Sequence, residues 1–291
     1  MSAARNHSPH AHTRPNRGTP MHLITARLAA LALASAALGP AIAAEGYVVW
    51  DDFNGATAIN AGKWLSLERV KQRQNGALRI VQRDRAGQVN TTDMFNSTFG
   101  QDLKNPEAIT QMRVSIMANA FAIDDCPANT NPEGPPDVQA RAFGWFFNAG
   151  AGAPGSKIGD VGAGMRYIRR GNSTDGAGVM RVEGYVVRCN TSDCNYGTTL
   201  VGLVDLGTVS TGQWLTLKFD WEPGQDRFNF YRGSDAAQRI SYSGLSDTSP
   251  PYSASKAIAT RTRLESCQTG RNAGFIDASF DNISVNASAA P

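Results

Sequence analysis

The chain has 291 residues, with 28 Lys and Arg against 25 Asp and Glu, and a formal charge of +3 at neutral pH. All four histidines (His7, His10, His12, His22) and four arginines (Arg5, Arg14, Arg17, Arg27) fall in the first 44 residues, which hold no Asp or Glu. The 28 cations less those four leave 24 against 25 acids in the remainder, so no basic stripe argues for nucleic acid.

The first 44 residues read as an N-terminal lead-in and a secretory signal peptide. Arg27 closes a basic region, an apolar run follows from Leu28 to Leu38, and Ala41-Ile42-Ala43 offers small residues for cleavage. Starts at Met1 and at Met21 are both compatible with this reading. The leader implies a secreted, extracellular or periplasmic protein, and its Ala-rich character a bacterial one. Residues 45–291 are expected to form a single β-sandwich domain with no membrane span, since no later apolar run is long enough.

Helical periodicity is scarce beyond the leader, and alternation recurs instead. "VVWDDFNG", Val48 to Gly55, reads as a first strand and turn. In "ITQMRVSIMANAF", Met112, Val114, Ile116 and Ala118 share one face. Trp145 sits in "RAFGWFFN", where either face can be inward. "GVMRVEGYVV" sets Met180, Val182 and Val186 against Arg181, Glu183 and Tyr185. "QWLTLKFDW", the turn "EPGQD" and "RFNFY" form a hairpin with Leu215, Leu217, Phe219, Trp221, Phe228 and Phe230 inward. "TRTRLES" sets Thr262 and Leu264 against Arg261, Arg263 and Glu265, and "FIDASFDNISV" closes the chain. Ten to twelve half-polar strands of this kind predict an all-β, antiparallel two-sheet sandwich. Trp64, Trp214 and Trp221 read as core or edge packing.

The four cysteines, Cys126, Cys189, Cys194 and Cys267, allow three pairings. Cys189–Cys194 is preferred, because "CNTSDCNYG" is a loop whose ends can meet, and this leaves Cys126 with Cys267. Without a histidine after the leader, a zinc site is disfavoured. A Ser-His-Asp triad and a Cys-His pair are excluded there too.

Three stretches resemble the concanavalin A-like lectin/glucanase superfamily, including its laminin-G-like modules. "WDDFNGATAINAGKW" is similar to the opening strand, turn and Lys-Trp. "LGTVSTGQWLTLKFDWEPGQDRFNFYRG" is similar to the mid-domain hairpin, and "FIDASFDNISV" to the closing strand. Together they extend the resemblance from Tyr47 to Asn286. The resemblance implies a jelly roll with glycan ligands, and it admits glycoside hydrolases and polysaccharide lyases. It also implies a structural calcium where first and last strands meet, with Asp52 and Asp281 as matching ligands and Asp277 as a weaker one. The alternative is that Asp51 and Asp52 cap the "DFNG" turn and that Asp281 bonds local backbone.

No Glu stands in the Glu-x-Asp-x-x-Glu strand of retaining glucanases on this fold. Glu183 and Glu265 are the carboxylates best suited to an open sheet face, either as a catalytic pair or as members of ion pairs with Arg181, Arg261 and Arg263. A lyase would need a base such as Tyr167 or Tyr185 and a cation such as Arg166 or Arg181. A binding face needs less: Trp145, Tyr167 and Tyr185 beside Arg181, Glu183, Arg261 and Arg263 would suit a glycan. The favoured expectation is a non-catalytic carbohydrate-binding or surface-interaction module. A polysaccharide-degrading enzyme is the alternative.

Overall fold

The computed structural model describes residues 68–86, 94–126, 135–150, 155–194, 197–265, 267 and 271–289. The leader, Asp51, Asp52 and Trp64 lie outside them.

Thirteen strands are present among the described residues: β1 Arg69–Gln74, β2 Ala77–Arg85, β3 Met94–Asp102, β4 Gln111–Ile123, β5 Asp137–Asn148, β6 Asp160–Arg170, β7 Val179–Cys189, β8 Thr198–Ser210, β9 Leu215–Glu222, β10 Arg227–Arg232, β11 Gln238–Ser241, β12 Lys256–Glu265 and β13 Ala273–Val285. One sheet has the order β1-β2-β13-β4-β9-β10-β11, the other β3-β12-β5-β6-β7-β8. Every named strand pair is antiparallel. Because the chain passes repeatedly from one sheet to the other, the architecture is the expected two-sheet jelly roll.

Alternation decides which side of each strand meets the core. Met112, Val114, Ile116 and Ala118 of β4 are buried, as are Val138, Ala140 and Ala142 of β5, Met180, Val182 and Val186 of β7, and Ile276, Ala278 and Phe280 of β13. At one end Phe146, Phe147, Phe219, Phe228, Phe230 and Tyr242 pack as a cluster, with Trp221 stacked at 5.6 Å on Phe147. Burying each such ring contributes roughly 1.5–3 kcal/mol. Near β2 and β12 the interior turns polar. Thr262 donates to Asp84 at 2.6 Å and Thr260 to Gln82 at 2.8 Å, so these buried groups are paired.

Both disulfides follow the preferred pairing, Cys126–Cys267 and Cys189–Cys194. Stable disulfides suit an oxidising compartment. Among the described residues no helix is long and apolar enough to cross a membrane.

Candidate functional site

The same alternation that sends small apolar residues of β5 inward sends Asp137, Gln139, Arg141, Phe143 and Trp145 outward. Strand register then lines up the outer face of the six-stranded sheet. Arg263, Asp137 and Arg170 share one cross-strand row, and Thr98, Arg261, Gln139, Ile168 and Arg181 the next. Ala259, Arg141, Arg166, Glu183 and Asp205 form a third, and Ala257, Phe143, Gly164, Tyr185 and Leu203 a fourth.

The fourth row is aromatic. Phe143 and Tyr185 stack at 5.9 Å, and Trp145 meets Phe143 edge-on at 5.0 Å. Glycine on β6 lets the rings lie across that strand: a Cβ at Gly162 would come within 2.5 Å of Phe143 and 2.7 Å of Trp145. Two guanidiniums flank the stack, Arg166 at 4.5 Å from the Tyr185 ring and Arg141 at 5.4 Å from the Phe143 ring.

The other rows are cationic, and most of their charges are paired. Glu183 accepts from Arg166 at 2.8 Å and from Arg170 at 2.8 Å. Burial alone would raise the Glu183 pKa, but these two arginines hold it below the usual glutamate value. Asp137 pairs with Arg263 at 2.8 Å and accepts from Gln139 at 2.7 Å. Burial opposes its charge, and Arg263, Arg261 and Arg166 overcome that, so it too is held low. Arg181 pairs with Asp175 at 2.8 Å and Asp205 at 3.1 Å.

Arg141 and Arg261 differ. Among the described residues neither has a carboxylate partner. Arg141 donates to the Thr98 hydroxyl at 3.0 Å, and Arg261 to the Asn96 amide oxygen at 2.8 Å. Burial, followed by repulsion from Arg141, pushes Arg261 down to about 10. Three buried polar atoms of this face also have no hydrogen-bond partner among the described residues: Gln139 Oε1, Arg141 Nε and Tyr185 Oη. Buried polar groups are normally satisfied within the fold. Arranged this way, they suit an anionic, hydroxyl-bearing ligand.

Of the residues expected to bind, the structure brings Trp145, Arg181, Glu183, Tyr185, Arg261 and Arg263 onto this face. Tyr167 is a correction. It points into the core, fully buried, and its hydroxyl donates to the Ile116 carbonyl at 2.9 Å. Tyr167 is two residues beyond Met165 on the same strand, so period two already ties it to the inward set. Gln139 and Arg141 escaped the sequence reading, although the alternation of "DVQARAFGW" carried the signal.

The catalytic pairing of Glu183 with Glu265 is a second correction. Glu265 lies three strands away from Glu183 and six residues along β12 from the row that Glu183 shares with Ala259. Strand geometry puts them roughly 25 Å apart. Glycosidase carboxyls need separations of about 5–10 Å. The expected ion-pair alternative holds for Glu183, but with Arg166 and Arg170 as partners.

Asp281 accepts from the backbone N–H of Asn282 at 2.7 Å, which is the local-capping alternative. Asp277 is committed to Arg79. Among the described residues no group of three or more His, Cys, Asp or Glu side chains could hold a metal.

The fold and this face define an all-β, disulfide-bonded, two-sheet jelly roll. No protein-family model matches the chain, and no curated protein matches it. Similar solved structures include carbohydrate binding module CBM66 from Bacillus subtilis, 9% identical over 73% of this chain and 83% of that one, with a TM-score of 0.27. A laminarinase from a Flavobacterium species is 8% identical over 73% and 81%, with a TM-score of 0.36. The laminarinase catalytic domain from Thermotoga maritima is 12% identical over 74% and 81%, with a TM-score of 0.35.

Proposed function

We propose that this protein is a secreted glycan-binding module that takes an acidic polysaccharide on the outer face of its six-stranded sheet. The observation that carries the reading is the Arg141–Arg261 pair: among the described residues neither guanidinium is in a salt bridge, each donates to a neutral side-chain oxygen instead, and Arg141 Nε is buried without a hydrogen-bond partner. A uronate carboxylate or a sulfate ester would supply the missing charge with bidentate geometry. Gln139 and Tyr185 offer hydrogen bonds to neighbouring hydroxyls, and the aromatic row offers apolar surface to the sugar ring.

Affinity electrophoresis in gels cast with polygalacturonate, alginate or chondroitin sulfate tests this. Retardation in at least one gel is expected, weakened by added salt and reduced at least tenfold in the double variant Arg141→Ala/Arg261→Ala. Unretarded migration in all three gels, or retardation that the double variant keeps, overturns the reading.

Tyr185 Oη, which has no hydrogen-bond partner among the described residues, favours one second reading, a uronate lyase. Held by Arg141 and Arg261, a uronate would lose its C5 proton to Tyr185 Oη as the base. The C4–C5 double bond forms, the C4–O4 bond breaks, and O4 leaves with the proton that Tyr185 took from C5. Release of unsaturated uronate ends, abolished in Tyr185→Phe while binding persists, would establish it. Binding without any such release retains the module reading.

The calcium between Asp52 and Asp281 rests on the sequence resemblance. A melting transition lowered by EDTA and restored by calcium supports it, and an unchanged melting curve rejects it.

A further inference from the structure

The seven-stranded sheet, on the side of the sandwich opposite the arginine face, carries a pocket of about 360 Å³, lined by Trp214, Asn119, Asp277, Arg79, Gln74 and Asn75 among others. Trp214 is the only tryptophan among the described large hydrophobics that stand exposed, at 45%. Of its expected roles, core or edge packing, the core one is therefore corrected. It comes from the turn between β8 and β9, and this turn is docked on β4 by the Gly212 N–H donating to the Ala118 carbonyl at 2.8 Å.

Opposite the indole, a β-bulge breaks the register of β4 and β13. Ala118 pairs with Ala278 and Ala120 with Asp277, so Asn119 is the extra residue. A bulge of this kind re-aims a side chain. Here it delivers the Asn119 amide to Asp277 at 2.8 Å and to Ser279 at 3.0 Å. Arg79 grips the same carboxylate through two bonds, at 2.9 and 2.6 Å, and reaches Gln74 at 2.8 Å. The β1–β2 turn brings Asn75 to the rim.

We infer that this pocket is a second, separate glycan site, for a neutral pyranose unit. An exposed indole presents a flat apolar face that suits the C–H face of a sugar ring. The polar wall is pre-set by its own hydrogen bonds, as an orienting wall must be, and it consists of planar amide, carboxylate and guanidinium groups that match vicinal hydroxyls. Charge sets the class of ligand. Arg79 and Asp277 neutralise each other, leaving no net charge to attract a uronate or sulfate, in contrast to the arginine face on the other sheet. The pocket volume falls in the range of small-ligand sites.

Affinity electrophoresis of the full chain in gels of xylan, barley β-glucan, galactan or galactomannan tests the inference. Retardation in at least one neutral gel is expected. Trp214→Ala is expected to weaken it at least tenfold, Asn119→Ala several-fold with the indole still in place, and Trp214→Phe less than Trp214→Ala. The Arg141→Ala/Arg261→Ala variant is expected to bind the neutral glycan like the wild type. Absence of retardation in every neutral gel, or retardation that survives both Trp214→Ala and Asn119→Ala, overturns the site. Binding to acidic gels alone, lost only in the arginine variant, overturns this second site and leaves the first intact.

Discussion

Lys256 shows how one buried charge sets a pH response. It is almost wholly buried at the start of β12, where Nζ donates to the carbonyls of Trp145 and Ala254 and lies 4.3 Å from the Phe146 ring centre. Burial pushes its pKa down to about 8 from 10.5. Below about pH 8 both folded and unfolded chains hold the proton, and the folded state carries the full desolvation penalty. Between about 8 and 10.5 the unfolded chain keeps a proton that the folded chain has released, so stability rises with pH. The shift corresponds to a gain of about 3 kcal/mol across that window. Urea unfolding at pH 7.5, 8.5 and 9.5 is expected to show the rise, and Lys256→Met to flatten it. A wild-type profile parallel to that of the variant would mean that Lys256 titrates normally.

At the level of elements, the sequence makes the faces of strands legible but not their neighbours. The alternation around Met112, Val182, Leu217 and Leu264 reads directly into buried positions, and the β9–β10 hairpin follows from a short turn between apolar runs. The site is a different matter. Arg141 and Arg261 meet because β5 pairs with β12, about 120 residues apart, and no local pattern specifies that pairing. Glu183 likewise found its partners on β6 rather than on the strand of Arg261 and Arg263. The glycines of β6 close the Gly-rich stretch "NAGAGAPGSKIGDVGAG", whose composition alone reads as a loop, and their purpose appears once Phe143 and Trp145 are seen lying across them. Gly162→Ala is therefore expected to force both rings to move, at about 1–3 kcal/mol of stability. Tryptophan fluorescence should change while far-UV circular dichroism does not. Gly224→Ala, at a turn where an added Cβ meets nothing within 4 Å, is the control. Equal midpoints for the two variants would show that the aromatic row tolerates a side chain beneath it.

For the molecule as a whole, the two disulfides differ far more in what they restrain than in their chemistry. Cys189–Cys194 spans 5 residues after β7, while Cys126–Cys267 spans 141 and joins the end of β4 in one sheet to the end of β12 in the other. Most contacts that hold the sandwich together are between strands distant in sequence, so the unfolded chain has a large loop-closure entropy to lose. The longer bridge removes part of that loss in advance. Chain-entropy scaling gives about 5 kcal/mol for it and about 2 kcal/mol for the short loop. Replacing Cys126 and Cys267 by Ser is therefore expected to lower the unfolding midpoint substantially more than replacing Cys189 and Cys194. Chemical denaturation of the two double-serine variants measures the difference in both midpoint and slope. A steeper slope in the variant lacking the long bridge is expected too, because its unfolded chain exposes more surface. If the two variants unfold at the same midpoint, the long bridge follows a seam that strand pairing has already fixed, and the stability of the sandwich resides in its sheets alone.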